Sequence, residues 1–188
     1  MKTHRAVLCL LPLLLPACGG GNAPGDAQAG DQQEATAASS VEHLKACDFV
    51  TSDQVSQVFG TDFQKGELKE HGTGPDERYF SICVFNGADP TSMVSASVSV
   101  RPTPDITDPA AALEAQVADV RKNASPDYAL DPVPELGPGA GWDGTSHQLT
   151  VFEPGLMLIF GAQGREVTKE QVVHMATIVL GELPKPAS

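Results

Sequence analysis

Asp143, Ser146 and His147 fall within five residues of one another, and these are the residue types of a nucleophilic hydrolase. An attacking hydroxyl needs an imidazole within hydrogen-bond reach and a carboxylate behind it. Neighbours on a strand point to opposite faces, so Ser146 and His147 diverge unless a bulge intervenes. No strand–turn–helix elbow surrounds Ser146. Two surface residues on a hairpin are the preferred reading.

Other groupings offer less. Glu67, Glu70, Asp76 and Glu77 gather around "KEHGTGPDER", which reads as a solvated Gly/Pro loop. His71 could join these acids in a weak cation site, but calcium-loop spacing is missing. His43 stands four residues before Cys47, on the same face if that stretch is helical, and could begin a metal shell that nothing completes. His174, beside Met175, reads as an ordinary helix residue. "GPGAGW" is glycine-rich but is followed by no helix or lysine, so it reads as a turn rather than a phosphate cradle. No catalytic residue, metal ligand or cofactor is expected.

The cysteines are more informative. Lys2, His4 and Arg5 precede "AVLCLLPLLLPA", an apolar run of 12 residues. A membrane-spanning helix needs about 20, and Pro12 and Pro16 would interrupt one. A basic start, a short apolar region and small residues describe a secretory signal over residues 1–17. "LPAC", Leu15 to Cys18, resembles the lipobox of bacterial lipoproteins, with Pro16 standing where a small residue is commoner. That resemblance implies cleavage before Cys18 and acylation of its thiol. Each buried methylene contributes about 0.8 kcal/mol, and stable anchoring takes more than one chain. Gly19, not Asp, follows the cysteine, which by resemblance to Gram-negative sorting favours the outer membrane; in a Gram-positive cell the anchor would be the plasma membrane.

Residues 19–40, "GGGNAPGDAQAGDQQEATAASS", hold no Val, Ile, Leu or aromatic side chain. Such a segment cannot offset the entropy of ordering itself. As a flexible coil its 22 residues span roughly 26 Å. A tether is expected here, then one folded domain over 41–184 and a short tail at 185–188. With Cys9 lost with the signal and Cys18 lipidated, Cys47 and Cys83 remain. Outside the cytoplasm an isolated pair reads as a disulfide, the metal site with His43 being its rival.

Composition sets outer bounds. Hydrophobic residues make up 41 %, enough for a core, but aromatics are only 5 %, so aliphatic side chains must fill most of it. Once residues 1–17 are removed, 24 acids face 10 bases, because Lys2 and Arg5 leave with them. That excess argues against nucleic acid and anionic membrane surfaces as partners.

Three helices are legible. "TSDQVSQVFG" opens with a Thr51/Gln54 capping box, carries Val55, Val58 and Phe59 on one side, and closes at Gly60. "TDPAAALEAQVADVRKN" has Asp108 as N-cap and Pro109 at the first helical position, with Leu113, Val117 and Val120 expected to be buried. "TKEQVVHMATIVLGEL" repeats the box with Thr168 and Gln171. Between them "MVSASVSVR" alternates strictly, Val94, Ala96, Val98 and Val100 against Ser95, Ser97 and Ser99, as in a strand with one dry and one wet face. "YFSICVF" is its expected neighbour. "HQLTVF" and "LMLIFGA" form a hairpin across Glu153-Pro154-Gly155, the second strand being apolar on both faces and therefore central. Asp143-Gly144 predicts a type I′ turn starting another hairpin. The fold expected is α+β: an antiparallel sheet with about three helices packed mainly on one face and one disulfide.

"CDFVTSDQVSQVFG", "SICVF" and "PELGPGAGW" together resemble an uncharacterised family of bacterial cell-envelope lipoprotein domains, over nearly all of residues 44–183. Those domains pair a Cys-x-x-[Leu/Val]-[Thr/Ser] helix start with a later Cys-x-aromatic strand and a Leu-Gly-x-x-Ala segment. The resemblance implies a Cys47–Cys83 bond and a turn from Gly137 to Ala140, and no activity. The function expected is a membrane-anchored, periplasm-facing lipoprotein of non-enzymatic binding type. Its partners are the bilayer, through acylated Cys18, and an envelope protein or small ligand. The candidate surface is Ser95, Ser97 and Ser99, with Tyr79 or Phe85 nearby. Alternatives are an inhibitor or accessory subunit of an envelope enzyme acting through residues 70–78, and, last, a small hydrolase.

Overall fold

Two threonine boxes and one aspartate cap set where the helices begin. The structure, a computed structural model, describes residues 43–72 and 78–184. The expected signal, Cys18, the tether, Asp76 and Glu77, and the tail at 185–188 lie outside the described residues. α1 (Ser52–Phe59) starts where Thr51 accepts from the Gln54 amide while the Gln54 side chain caps the Thr51 amide. It stops at Gly60, whose φ of 68° is left-handed and suits a residue without Cβ. α2 (Pro109–Asn123) begins behind Asp108, whose carboxylate accepts from the Ala111 amide. α3 (Lys169–Glu182) repeats the box at Thr168 and Gln171. Each such cap contributes about 1 kcal/mol.

Among the described residues the strands are β1 (Glu67–His71), β2 (Phe80–Asn86), β3 (Ser95–Pro102), β4 (Asp131–Pro132), β5 (Ala140–Asp143), β6 (Gln148–Glu153) and β7 (Leu156–Gln163). They form one antiparallel sheet in the order β1-β2-β3-β7-β6-β5-β4. β7 is its central strand, as its two apolar faces require. The fold is thus α+β.

Cross-strand partners share a face, so the register assigns every side chain. The row Leu68, Cys83, Val98, Phe160, Leu149 and Trp142 lies on one side. From Cys83 to Trp142 it is buried, in the same core as Val55 and Val58 of α1 and Val172, Met175, Ala176 and Val179 of α3. Fully burying a side chain such as Phe160 contributes roughly 1.5–3 kcal/mol. A 3₁₀ turn at Ala46–Asp48 covers this face too, and from it Cys47 is bonded to Cys83. Both sulfurs are consumed by that bond, which displaces the metal reading with His43; the His43 ring instead packs edge-on to Tyr79 at 4.6 Å.

α2 occupies the opposite face, against β5 and β6. A Cβ on Gly141 would lie 2.9 Å from the Leu130 side chain and 3.4 Å from Leu113 of α2. The expected burial of Leu113, Val117 and Val120 needs correction: all three are half-buried, and no residue of α2 is fully buried. The helix lies alone near one end of the sheet, with solvent along its flanks.

Two local expectations also change. "KEH", read as part of a loop, is the end of edge strand β1, paired from Glu67↔Val84 to His71↔Phe80. Its alternating charges suit an edge that must not recruit another strand. The β5–β6 connection is not a two-residue I′ turn: Gly144 has no positive φ, and the left-handed residue is His147 at 53°.

Candidate binding face

The three serines stand on the face that α1 and α3 do not cover. Ser95, Ser97 and Ser99 are half-buried while the alternate Ala96, Val98 and Val100 are in the core. Register places Ser99 in a row with Lys69, Ile82 and Ile159, and Ser97 in a row with Glu67, Val84 and Gly161. The small side chains of β3 thus form a trough with aliphatic neighbours on both sides of Ser99 (Ile82 and Ile159), on one side of Ser97 (Val84, opposite Gly161), and polar ones at Ser95 (Asn86 and Gln163). Ile82, Val84, Met157 and Ile159 are all half-buried there.

At one end of the trough the rings of His71 and Phe80 stack at 4.6 Å and 14°, and the Arg101 guanidinium lies 5.0 Å from the Phe80 centroid. Lys69 and Glu67 approach to 4.0 Å, an exposed pair of little energetic value. Lys69, His71 and Arg101 against Glu67 make this face locally rich in basic groups on a chain whose net charge is −12.

Tyr79 and Phe85, expected beside the serines, are buried on the other side. β2 is apolar in both parities, so its pattern alone does not say which way it faces. The signal was Cys83: a cysteine bonded to the helical side drags Ser81 and Phe85 inward and turns Phe80, Ile82 and Val84 outward. The inward Ser81 is used structurally. Its hydroxyl donates to the Leu44 carbonyl at 2.7 Å and accepts from the Ala46 amide at 2.9 Å. Beside it, burial first and then the hydrogen bond to Glu70 at 2.9 Å raise the Tyr79 phenol above its ordinary value.

Asp143, Ser146 and His147 are brought together as a turn. The Ser146 hydroxyl donates to Asp143 Oδ2 at 2.8 Å, and Oδ1 accepts from the Thr145 and Ser146 amides. Partial burial alone would raise the Asp143 carboxyl, but these hydrogen bonds outweigh it and the net shift is downward. His147 lies over Trp142 at 6.1 Å, nearly parallel. Carboxylate thus meets hydroxyl directly, without the imidazole between them that a triad requires. Glu67, Glu70 and His71 sit on β1, where Glu70 faces Tyr79 and His71 faces Phe80. Among the described residues no cluster of three or more His, Cys, Asp or Glu could hold a metal ion. His174 is exposed on α3.

Gly137 to Ala140 closes as a turn, the Ala140 amide donating to the Gly137 carbonyl at 3.3 Å. A second concavity, about 530 Å³, runs between α2 and the β4–β5 edge of the sheet, walled by Leu113, Val117, Leu130 and Pro132 with Gly141 at its base. Among the described residues no helix is long and apolar enough to cross a membrane. Compared with protein families, with curated proteins and with solved structures, the chain matches none, which leaves the geometry of the two faces to carry any functional reading.

Proposed function

We propose that this protein is a lipid-anchored lipoprotein of the bacterial cell envelope, attached through acylated Cys18, whose domain works by binding rather than by catalysis. One observation carries the binding part of this reading: on the face that α1 and α3 do not cover, the trough of Ser95, Ser97 and Ser99 is half-buried, with half-buried Ile82, Val84 and Ile159 beside Ser97 and Ser99. Apolar side chains left partly open together on one face of a folded domain suit an interaction site. The "LPAC" stretch and the polar segment after it support the anchor.

Two measurements test it. Mass spectrometry of the chain recovered from cells should find Cys18 as its first residue, carrying fatty acyl groups; an unmodified start elsewhere would refute the anchor. A photo-crosslinking residue at Ser97 should capture one stoichiometric envelope partner that the same probe at Thr177, exposed on α3, does not. Equal capture at both positions, or none at Ser97, would refute the face.

A further inference from the structure

The groove beside α2 is a second place where this molecule leaves apolar surface unspent, and its cause lies in the sheet. β4 is two residues long and ends in a proline, so the sheet stops there, and no further strand among the described residues extends it along the outer flank of α2. Leu113 and Val117 of α2 and Leu130 beyond it remain half-buried along the groove. Its volume, about 530 Å³, lies within the roughly 300–1,000 Å³ of small-molecule sites.

The polar groups are unevenly placed. Arg121 lines one end, and its Nε–H donates to the Tyr128 carbonyl at 2.6 Å. That bond fixes the guanidinium while leaving its terminal N–H groups available, and no carboxylate among the described residues forms an ion pair with it. Lys122 follows it, exposed. Glu114 lines the groove seven residues earlier, about 10 Å along the helix axis. An anionic head is therefore attracted at one end and repelled at the other, with only aliphatic wall between them.

We infer that this groove binds a monomeric fatty carboxylate, its chain along Leu113, Val117 and Leu130 and its head on Arg121. The site is separate from the serine trough and does not depend on it.

The test uses the full chain carrying Cys18→Ser, with the disulfide formed, and amide NMR titrations with decanoate, decanol, decyltrimethylammonium and anionic phospholipid vesicles. Decanoate should move the Ala118, Leu130 and Gly141 signals saturably. Decanol and the decyl cation should bind about tenfold more weakly or worse, since a hydrogen bond to a charged group is lost. Arg121→Gln should cost decanoate the same factor and leave decanol unchanged. Ala118→Trp, at an exposed helix position, should block both. Decanoate shifts that do not saturate, that survive Arg121→Gln, or that centre on Ser97 and Ser99 would overturn the inference. So would equal binding of the decyl cation, or a response to vesicles stronger than that to decanoate.

Discussion

Two faces of one sheet have opposite fates, and β3 shows both within eight residues. Ala96, Val98 and Val100 are sealed under α1 and α3, while Ser95, Ser97 and Ser99 form the floor of an open trough. The backbone serving the two sets is the same. What differs is the cover: two helices and a disulfide-bonded turn on one side, and on the other a single helix displaced towards β5 and β6. Stability is thereby assigned to one set of alternate residues and, in the function proposed above, recognition to the other, so substitutions one position apart should report on different properties.

The largest separation should come from the bond that pins the covered face. Replacing Cys47 and Cys83 together by serine releases a loop spanning 36 residues and should cost about 4 kcal/mol, read by urea unfolding; an unchanged midpoint would mean the cover holds without it. Next comes a pair on β7. Leu158→Ala, at 0 % exposure, should lose about 3 kcal/mol. Ile159→Ala, on the open side, should lose about 1 kcal/mol or less. Equal losses would erase the distinction between the faces. Removing the α3 cap with Thr168→Ala should cost about 1 kcal/mol, lowering the thermal midpoint without altering any contact of the trough. Ser97→Ala and Ser99→Ala should stay within about 0.5 kcal/mol of the parent, and a larger loss would make the trough part of the core.

The smallest effect is electrostatic. Because the folded-state pKa of Asp143 is lowered, its carboxylate stabilises the fold above the ordinary aspartate range, and that contribution disappears as pH falls through the lowered value. Asp143→Asn should remove this acid-side slope from a stability–pH profile. A profile unchanged by the substitution would mean that the turn makes no use of the charge.

The helices were legible because their ends are chemical. Thr51 with Gln54, Thr168 with Gln171, and Asp108 before Pro109 name their first turns outright. β3 was legible because only one of its parities is apolar, and the cysteine pair was legible by elimination. β2 was legible as the neighbour of β3, but its facing was not, because "YFSICVF" is apolar in both parities and only Cys83 breaks the tie. β1 was missed because a charged edge strand looks like a loop: its pairing uses backbone groups, and its side chains serve to repel further strands. The place of α2 was hidden for a different reason. Its cap fixes where it starts, but its choice of face depends on Gly141 and on how short β4 is, neither of which is local to the helix. The serine stripe was readable as a wet face; its aliphatic flanks were not, since they belong to strands joined to it only by register.

The attachment of the N-terminal segment has a mechanical side. Tension applied ahead of His43 would pass through Leu44 and Ala46 into Ser81, and then covalently from Cys47 to Cys83. It would enter β2, a strand hydrogen-bonded to a neighbour on each side. α1 and β1, inside the cross-linked loop, would be bypassed and carry no load. If the N-terminal segment is the tether proposed above, a pull on it would reach β2 before the helical cover.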